Sequence, residues 1–506
     1  MKGSKVKSME QTHRITVTQG TETHTLRASP ARTLLESLRD AGIAVQAPCG
    51  GNGTCNQCSV VCTGLFCDAG GQTREYRGEK ALSCRLRPAG DGEVAVPLSA
   101  GDRVLADAID IPGEGTGLGL AVDIGTTTVA AYLYDLATGR CLGAAGEMNA
   151  QRSWGGDVIS RIQHARTPEG LAALRDAVRS QIRELARRLS PDTAKITYVS
   201  IAGNTVMEHL FAGLSPESIG VAPFAPLSLF GREEAASGYF DCFAPDCRLY
   251  LCPAVAGYVG GDITAGLLSS GASSSDGLTL FIDVGTNGEM ALGNRDGFLS
   301  CATAAGPAFE GAEIACGSPA RDGAISAVET DLKCTVLGGG AAKSLCGSGL
   351  IDAVAALLYN EIIDETGRMD AEKYTLSGEV YLSGKDVRQL QLAKAAVRAG
   401  IETLLERSGK EYGDITQVLL AGGFGAFLRL QSACAIGMLP PALLDRVRSV
   451  GNSAGKGAAL ALTEQGRRAL AELTAKCGYE ELSSSPLFND NYIEAMLFDE
   501  WEEVFV

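Results

Sequence analysis

The sequence predicts two folded parts of different class: a small α+β domain at the N-terminus, then a larger two-lobed α/β domain built by duplication. Three observations lead to this prediction. Six of the 16 cysteines lie between Cys49 and Cys84, beside short strand and helix patterns. A strand–Asp–Gly–Thr pattern occurs twice, at Asp123 and at Asp283, 160 residues apart. A glycine-rich turn, "LAGGFG", follows an apolar run near residue 421.

The composition excludes several classes of protein. The 506 residues suffice for two to four domains, and 45% apolar with 21% charged residues is typical of globular proteins. The net charge of −16 argues against nucleic acid or an anionic membrane as a partner. No apolar run approaches the ~18 residues that span a bilayer, and the start lacks the apolar stretch of a signal peptide. We therefore expect a cytoplasmic protein whose cysteines stay reduced.

The first hundred residues read as one α+β domain, 1–100. The stretches "HRITVTQG" and "ETHTLRAS" alternate apolar and polar residues, which predicts two strands joined by a tight turn. "ARTLLESLRDAG" has apolar residues at helical spacing. After a cysteine-rich loop, "CSVVCTG" and "GEVAVPL" predict returning strands.

The spacing of four cysteines predicts a [2Fe–2S] cluster. Cys49, Cys55 and Cys58 are separated by five and two residues, and Cys84 follows twenty-six positions after Cys58. Plant-type clusters use gaps of four and two, so the first gap here has one extra residue. Intervening glycines let the backbone curl around a cluster. Zinc is the less favoured alternative because it usually takes two Cys-x2-Cys pairs, and simple buried thiols come third.

This stretch resembles the ferredoxin-like domains of the plant-type [2Fe–2S] class, whose fourth ligand lies in an "L-x-C" element like "LSC" here. The resemblance implies a β-grasp fold and a one-electron carrier. Cys62 and Cys67 are left over. We expect Cys62 to be structural, with ligand exchange left open.

Beyond a Pro- and Gly-rich linker, 101–117, the repeated pattern predicts two phosphate-binding hairpins. Each copy reads as a buried strand that carries an Asp, a Gly–Thr turn and a returning strand. Such a turn offers backbone N–H groups and hydroxyls to phosphate, and the Asp can hold Mg²⁺ directly or through water. The predicted phosphate-binding residues are Gly125, Thr126, Thr127 and Thr128 in the first copy and Gly285, Thr286 and Asn287 in the second.

A third motif predicts an adenosine site. The apolar strand in "VLLAGGFGAFL" runs into Gly422, Gly423, Phe424 and Gly425 and then a helix, whose N-terminus adds a positive dipole. Two stretches look like P-loops, 337–344 and 451–460, but neither has the Walker A spacing. The second is expected to form an Asn-capped helix of small residues.

Together these three motifs resemble the ATPase superfamily of acetate and sugar kinases, heat-shock chaperones and actin, over roughly residues 118–465. The resemblance implies an actin-like α/β ATPase domain of two RNase-H-like lobes that close over MgATP. We place it at 118–476, with lobe one at about 118–275 and lobe two at about 276–476. For the acidic C-terminal tail, 477–506, docking on a neighbour, docking on the chain itself and loose packing remain open.

Three aspartates are candidate catalytic residues. Asp123 and Asp283 are expected to hold Mg²⁺ directly or through water. Asp262 in "GYVGGDITAGL" is expected either to hold Mg²⁺ or orient water in the same cleft, or to cap its helix. Asn204 stands where a sugar kinase of this fold would place a base. An amide cannot abstract a hydroxyl proton, which weakens the kinase interpretation.

The whole chain resembles one family, the ATP-dependent reductive activators of corrinoid proteins. The matching stretches include "CGGNGTC", "AVDIGTTTVAAYL", "GGDVISRI", "IDVGTNGEM", "AGPAFEGAEIACG", "LCGSGLIDAVAAL" and "LLAGGFG". The resemblance implies transfer of an electron from a low-potential donor, through the [2Fe–2S] cluster, to Co(II) of a corrinoid protein or corrinoid-dependent methyltransferase. Co(I) results, ready for methyl transfer, and MgATP drives the process.

Two other functions stay open from the sequence: an activator of another low-potential enzyme, such as a 2-hydroxyacyl-CoA dehydratase, and a small-molecule kinase with a redox domain. A homodimer is one option for the oligomeric state. The corrinoid itself is expected to belong to the partner, since none of the four histidines lies in a corrinoid-binding signature.

Overall fold

The computed structural model describes residues 12–19, 22–41, 43, 45, 58–96, 108–285, 287–425, 428–498, 501 and 504, except the side chains of residues 19, 22, 423 and 424. Its internal contacts divide the chain into two compact units. Unit 1 is Met1–Gly101 together with Ala150–His164, and unit 2 is Asp102–Asn149 together with Ala165–Val506.

Unit 1 has the predicted β-grasp architecture. Its elements are β1 (His13–Gln19), β2 (Glu22–Ala28), α1 (Leu34–Asp40), β3 (Ser59–Cys67), β4 (Thr73–Leu82), β5 (Arg87–Val96) and α2 (Val158–His164). The five strands form one sheet in the order β2-β1-β5-β3-β4, in which β1 and β5 run parallel. A capping box at Thr33 begins α1, whose apolar face is buried in the core of the unit.

The segment Ala150–His164 comes from the middle of the ATPase sequence but packs within unit 1. The hydroxyl of Ser153 donates to the carbonyl of Val45 (3.4 Å), and the Arg39 guanidinium lies 6.0 Å from the centre of the Trp154 ring. Arg161 is fully buried, and its Nε donates to the carbonyl of Gly155 (3.0 Å). No pattern in the sequence predicts this discontinuity.

Unit 2 contains the two predicted lobes. Lobe one holds β6 (Leu118–Ile124), β7 (Thr128–Asp135), β8 (Cys141–Met148), α3 (Pro168–Leu189), β9 (Ile196–Gly203), α4 (Thr205–Ala212), β10 (Glu233–Ala235), β11 (Arg248–Leu251) and α5 (Gly261–Ser269). The rest of the unit holds β12 (Leu278–Val284), β13 (Gly288–Asn294), β14 (Gly297–Thr303), β15 (Ala324–Val328), β16 (Cys334–Val336), β17 (Ser344–Leu345), α6 (Gly347–Tyr359), β18 (Lys373–Ser377), β19 (Val380–Ser383), α7 (Gly384–Ser408), β20 (Ile415–Ala421), α8 (Gly422–Gly425), α9 (Leu430–Ala435), β21 (Val447–Gly451), α10 (Ser453–Leu460), α11 (Glu464–Thr474), β22 (Cys477–Tyr479) and α12 (Pro486–Glu494).

The two large sheets share a topology of five strands, which confirms the predicted duplication, while β10 and β22 are added at opposite edges of this shared part. Lobe one has the order β10-β11-β9-β6-β7-β8, and lobe two has β21-β20-β12-β13-β14-β22. In both, an antiparallel three-strand meander continues into parallel strands. The strands β6 and β12 therefore occupy equivalent central positions, and Asp123 and Asp283 lie at equivalent places near their ends.

Helix α10 differs from its expected place. The sequence analysis assigns residues 276–476 to lobe two, yet α10 packs against α5 and the sheet of lobe one. The hydroxyl of Ser200 on β9 donates to the carbonyl of Ala458. Small residues make this close packing possible: a Cβ on Gly457 would lie 2.1 Å from the carbonyl oxygen of Ala265.

The described parts of the predicted linker and of the C-terminal tail both pack within unit 2. In the predicted linker, the carbonyl of Ile109 accepts from the Tyr134 hydroxyl (2.8 Å). In the C-terminal tail, α12 packs against α7, and the side chain of Phe498 is fully buried. Of the alternatives left open for the tail, the structure shows docking on the chain itself. Among the helices that the structure describes, none combines the length and apolarity needed to cross a bilayer.

Candidate functional site

The first predicted phosphate loop, between β6 and β7, is fixed by two asparagines. The Asn149 side chain donates to the carbonyl of Gly125 (2.8 Å), and its backbone N–H donates to the carbonyl of Thr127 (2.8 Å). The Asn204 amide donates to the hydroxyl of Thr126 (3.0 Å). Because these bonds hold the loop before any ligand arrives, its N–H groups and hydroxyls are pre-organised for an anion.

The second loop lies at the equivalent turn between β12 and β13. The N–H of Gly285 donates to the carbonyl of Asn287 (3.1 Å), while Thr286 lies outside the described residues. The predicted adenosine turn packs beside the end of β12, next to this second loop. Gly422 has a φ of 82°, and a Cβ there would lie 2.7 Å from Oδ1 of Asp283, so only glycine fits.

The structure brings the three candidate aspartates together. Burial raises the pKa of Asp123 to about 7. A hydrogen bond with Asn452 lowers this pKa, and the charge of Asp283 raises it further. Burial raises the pKa of Asp283 to about 6. Burial, then the charges of Asp283 and Asp123, raise the pKa of Asp262 to about 8. Because the charge of Asp283 raises the pKa of both Asp123 and Asp262, the three carboxyl groups lie near one another.

Two buried glutamates complete this acidic group. Burial raises the pKa of Glu289 well above its usual range, and the charges of Asp262 and Asp283 add to the effect. Glu208 is fully buried, and neither of its oxygens has a hydrogen-bond partner among the described residues. Its Oε1 lies only 2.5 Å from where a Cβ on Gly261 would stand, at the first turn of α5. Such a carboxyl is expected to be protonated when no cation is near.

Two residues left ambiguous by the sequence now have defined places. Asn204 is the N-cap of α4, where its side chain accepts from the N–H of Met207 (3.0 Å). Asp262 does not cap α5, because Gly260 is the N-cap and Oδ1 of Asp262 accepts from the next N–H, that of Ile263 (2.8 Å). Asp262 therefore belongs to the acidic group by position.

These residues fit a magnesium–nucleotide complex. Mg²⁺ in phosphate sites keeps several waters and takes one or two carboxylates plus phosphate oxygens, instead of a closed protein cage. In the part of the chain that the structure describes, no three acidic, histidine or cysteine side chains converge as such a cage. Burial raises the pKa values of Asp123, Asp262 and Asp283, and the charge of Asp283 raises the first two further, so a divalent cation bound beside them would relieve repulsion.

The described half of the cluster region fits an iron–sulfur centre. The N–H and hydroxyl of Ser83 both donate to the carbonyl of Cys58 (2.9 and 3.0 Å), which brings Cys84 next to Cys58. Cys49 and Cys55 lie outside the described residues. Cys62 points into the core, where burial raises its pKa to about 12, as expected of a structural thiol.

Four residues of the site are not among those predicted from the sequence: Asn149, Glu208, Glu289 and Glu310. Glu289 and Glu310 lie inside "IDVGTNGEM" and "AGPAFEGAEIACG", stretches that carry the family resemblance, so an acid within a motif was an available signal. Nothing local marks Asn149 or Glu208. Their roles depend on which strand ends the topology brings together.

The fold and the site define a ferredoxin-like domain joined to a duplicated ATPase domain, and the comparisons with known proteins agree. Residues 17–89 match the 2Fe-2S iron-sulfur cluster binding domain. Residues 118–275 match the RACo middle region, and residues 277–505 match the C-terminal domain of RACo, the ASKHA domain. The protein therefore has a [2Fe–2S] cluster and ATP with Mg²⁺ as its cofactors.

Similar proteins narrow the class to one family. The corrinoid activation enzyme RamQ of Eubacterium limosum is 34% identical over 422 residues, which is 75% of this chain and 70% of RamQ. The [Co(II) methylated amine-specific corrinoid protein] reductase of Methanosarcina barkeri is 26% identical, over 74% of this chain and 76% of that protein. A solved structure of a reductive activator for corrinoid, iron-sulfur protein is 30% identical, with a TM-score of 0.67 over 96% of this chain and 98% of that one. The chain belongs to the family of reductive activators of corrinoid proteins.

Proposed function

We propose that this protein uses ATP to reduce the cobalt of a corrinoid protein from Co(II) to Co(I), one electron at a time. The observation that carries the proposal is the presence, in one chain, of a [2Fe–2S] domain and a complete two-lobed ATPase domain of this family. Hydrolysis of ATP supplies on the order of ten kcal/mol, whereas one electron moved against the potential requires ~1.4 kcal/mol per ~60 mV. ATP can therefore offset an unfavourable potential gap.

Four cysteines are proposed to hold the cluster: Cys49, Cys55, Cys58 and Cys84. When bound, a [2Fe–2S] cluster accepts and releases a single electron, which matches the one-electron step from Co(II) to Co(I). Cys58 and Cys84 support this assignment because the Ser83–Cys58 hydrogen bonds bring them together. Cys62, as a buried neutral thiol, is assigned a packing role.

The nucleotide is proposed to lie between the two hairpins, with its base toward α8. In this arrangement the loops at 125–128 and 285–287 bind the phosphates, and residues 422–425 approach the adenosine. Asp123, Asp283 and Asp262 are proposed to orient Mg²⁺ and its waters. The support is that the charge of Asp283 raises the pKa of both Asp123 and Asp262, and that Gly422 packs closely against Asp283.

The partner is proposed to be a corrinoid protein or a corrinoid-dependent methyltransferase, because the relatives are named for acting on corrinoid proteins. A low-potential carrier such as a reduced ferredoxin or flavodoxin would reduce the cluster again after each transfer. We place this chemistry in the cytoplasm, where the 16 cysteines of the chain would stay reduced. A homodimer is retained as one option.

An anaerobic cobalt-reduction assay tests the function. The reduced protein is mixed with a Co(II) corrinoid protein, with and without MgATP, and Co(I) is followed by its absorbance. We expect Co(I) only with MgATP. The Asp123→Ala and Asp283→Ala proteins should keep the cluster spectrum but form no Co(I) even when MgATP is present. Formation of Co(I) without ATP, or its absence with every corrinoid partner tried, would refute the proposal.

A further inference from the structure

One hydrogen bond joins the two lobes at the first phosphate loop. The hydroxyl of Thr127, in lobe one, donates to Oε2 of Glu310, in lobe two, over 2.7 Å. Glu310 ends the short turn Pro307–Glu310, which follows β14. The acidic group described above surrounds Asp262, but Glu310 differs from its members because it binds a predicted phosphate-binding hydroxyl directly.

The position of Glu310 is imposed by the packing of its turn. Phe309 and Ala308 are each 3% exposed and belong to the core of lobe two. The turn is closed by Gly311, which has a φ of 75° and whose N–H donates to the carbonyl of Ala308 (2.9 Å). A Cβ on Gly311 would lie 2.5 Å from the backbone of Ser318, so the turn packs directly against that backbone and leaves no room for a side chain. The carboxylate is therefore held in place by the fold.

A carboxylate at a phosphate loop needs a chemical reason. Its negative charge repels a phosphate oxygen, and phosphate sites generally avoid such neighbours unless a water lies between the two. A base that takes a proton from an attacking water must stand within hydrogen-bond reach of that water, and therefore beside the loop that binds the γ-phosphate. Glu310 meets this geometric requirement through Thr127.

We infer that Glu310 is the general base of ATP hydrolysis, an assignment that rests on the ATPase function proposed above. In the step, the water oxygen bonds to the γ-phosphorus while the bond from that phosphorus to the β–γ bridging oxygen breaks. The bridging oxygen keeps the electron pair and leaves on ADP. The proton of the water passes to the Glu310 carboxylate and then returns to solvent, which regenerates the base.

Glu310→Gln is the decisive variant. Its amide oxygen still accepts from Thr127, but it cannot take a proton. We expect kcat for ATP hydrolysis to fall about 100-fold, with an unchanged or lower Kd for ATP because one negative charge near the phosphates is removed. The visible spectrum of the cluster should match wild type.

Two further variants bracket this result. Glu310→Asp keeps the carboxylate but withdraws it by one methylene, so an intermediate kcat is expected even if the glutamine variant folds poorly. Glu313→Gln is the matched control, because Glu313 is exposed three residues further along the same stretch. It should hydrolyse ATP at the wild-type rate.

The outcomes separate this assignment from the proposed function. A kcat within about threefold of wild type for Glu310→Gln would show that Glu310 only holds Thr127 by a hydrogen bond. It would overturn the general-base assignment and leave the proposed function standing. A raised Kd for ATP with an unchanged kcat would do the same. A wild-type protein that binds MgATP but never hydrolyses it, with or without a corrinoid protein, would overturn both.

Discussion

At the residue scale, His209 shows how hydrogen-bond geometry fixes a protonation state. The side chain is fully buried. Its Nε2 accepts from the N–H groups of Leu227 and Ser228 (3.1 and 3.3 Å), and its Nδ1 lies 2.7 Å from the carbonyl of Thr205. Because a backbone N–H can only donate, Nε2 must be an acceptor and the proton must lie on Nδ1. Burial also lowers the pKa of His209.

This neutral histidine predicts a loss of stability in mild acid. The folded-state pKa of His209 lies below the unfolded value of about 6.5, so the unfolded chain binds the extra proton as pH falls through that value. The contribution of His209 is complete above about pH 6.5 and decreases below it. Melting curves between pH 7.5 and 5.5 should show a decline in Tm that is smaller in His209→Gln.

His24→Gln is the matched control, because His24 is exposed on β2. It should leave the decline of the wild-type protein unchanged. An equal decline in the His209 variant and in wild type would contradict the assigned protonation state.

At the element scale, the hairpins show what a sequence can and cannot predict. The two strand–Asp–turn–strand units were predictable because each is a contiguous run with its own pattern, and a fixed offset of 160 residues exposed the repeat. Asn149, which holds the first loop, lies after β8, two strands beyond β6. Only the pairing of β7 with β8 brings it back to Gly125 and Thr127. No local pattern encodes that return.

Loss of Asn149 is expected to weaken nucleotide binding. Asn149→Ala removes the bond to Gly125 and leaves the backbone bond to Thr127, so the loop loses part of its support. We expect the KM for ATP to rise about tenfold, equivalent to about 1.4 kcal/mol, with the cluster spectrum unchanged. Steady-state ATPase kinetics measure this change.

The matched control is Asn294→Ala, at the end of the second hairpin. The Asn294 side chain donates to the carbonyl of Asp276 (3.4 Å), away from both loops. Its KM should stay at the wild-type value. A similar rise in both variants would mean that general destabilisation, and not loop support, explains the effect.

At the scale of the whole molecule, the discontinuous unit 1 is the main departure from the sequence analysis. A boundary near residue 100 was natural, because composition turns to Pro and Gly there. The segment Ala150–His164 could not be assigned to the cluster domain from sequence, since its partners at Arg39 and Val45 lie over 100 positions earlier. Conversely, the fold class was predictable, because it follows from local patterns and from the repeat.

A truncated protein tests this organisation. The fragment 1–101 lacks Ala150–His164, so we expect its cluster absorbance to be lost on heating at least about 10 °C below that of the full chain, since each kcal/mol shifts Tm by about 4–8 °C in a domain of this size. The same fragment extended by residues 150–164 through a Gly–Ser linker should recover much of the difference. Equal midpoints for the fragment and the full chain would show that the segment adds no stability.

The same discontinuity limits how domains can be exchanged between members of this family. A chimera joined only within 101–117 would combine one protein's cluster domain with another protein's fifteen-residue segment, which contributes Ser153 and Trp154 to the surface beside α1. Substitutions on either side of that surface must be accommodated by the other. The electron carrier and the nucleotide-binding domain should therefore be inherited as a pair, and successful grafts between relatives will be those that move the segment with the domain.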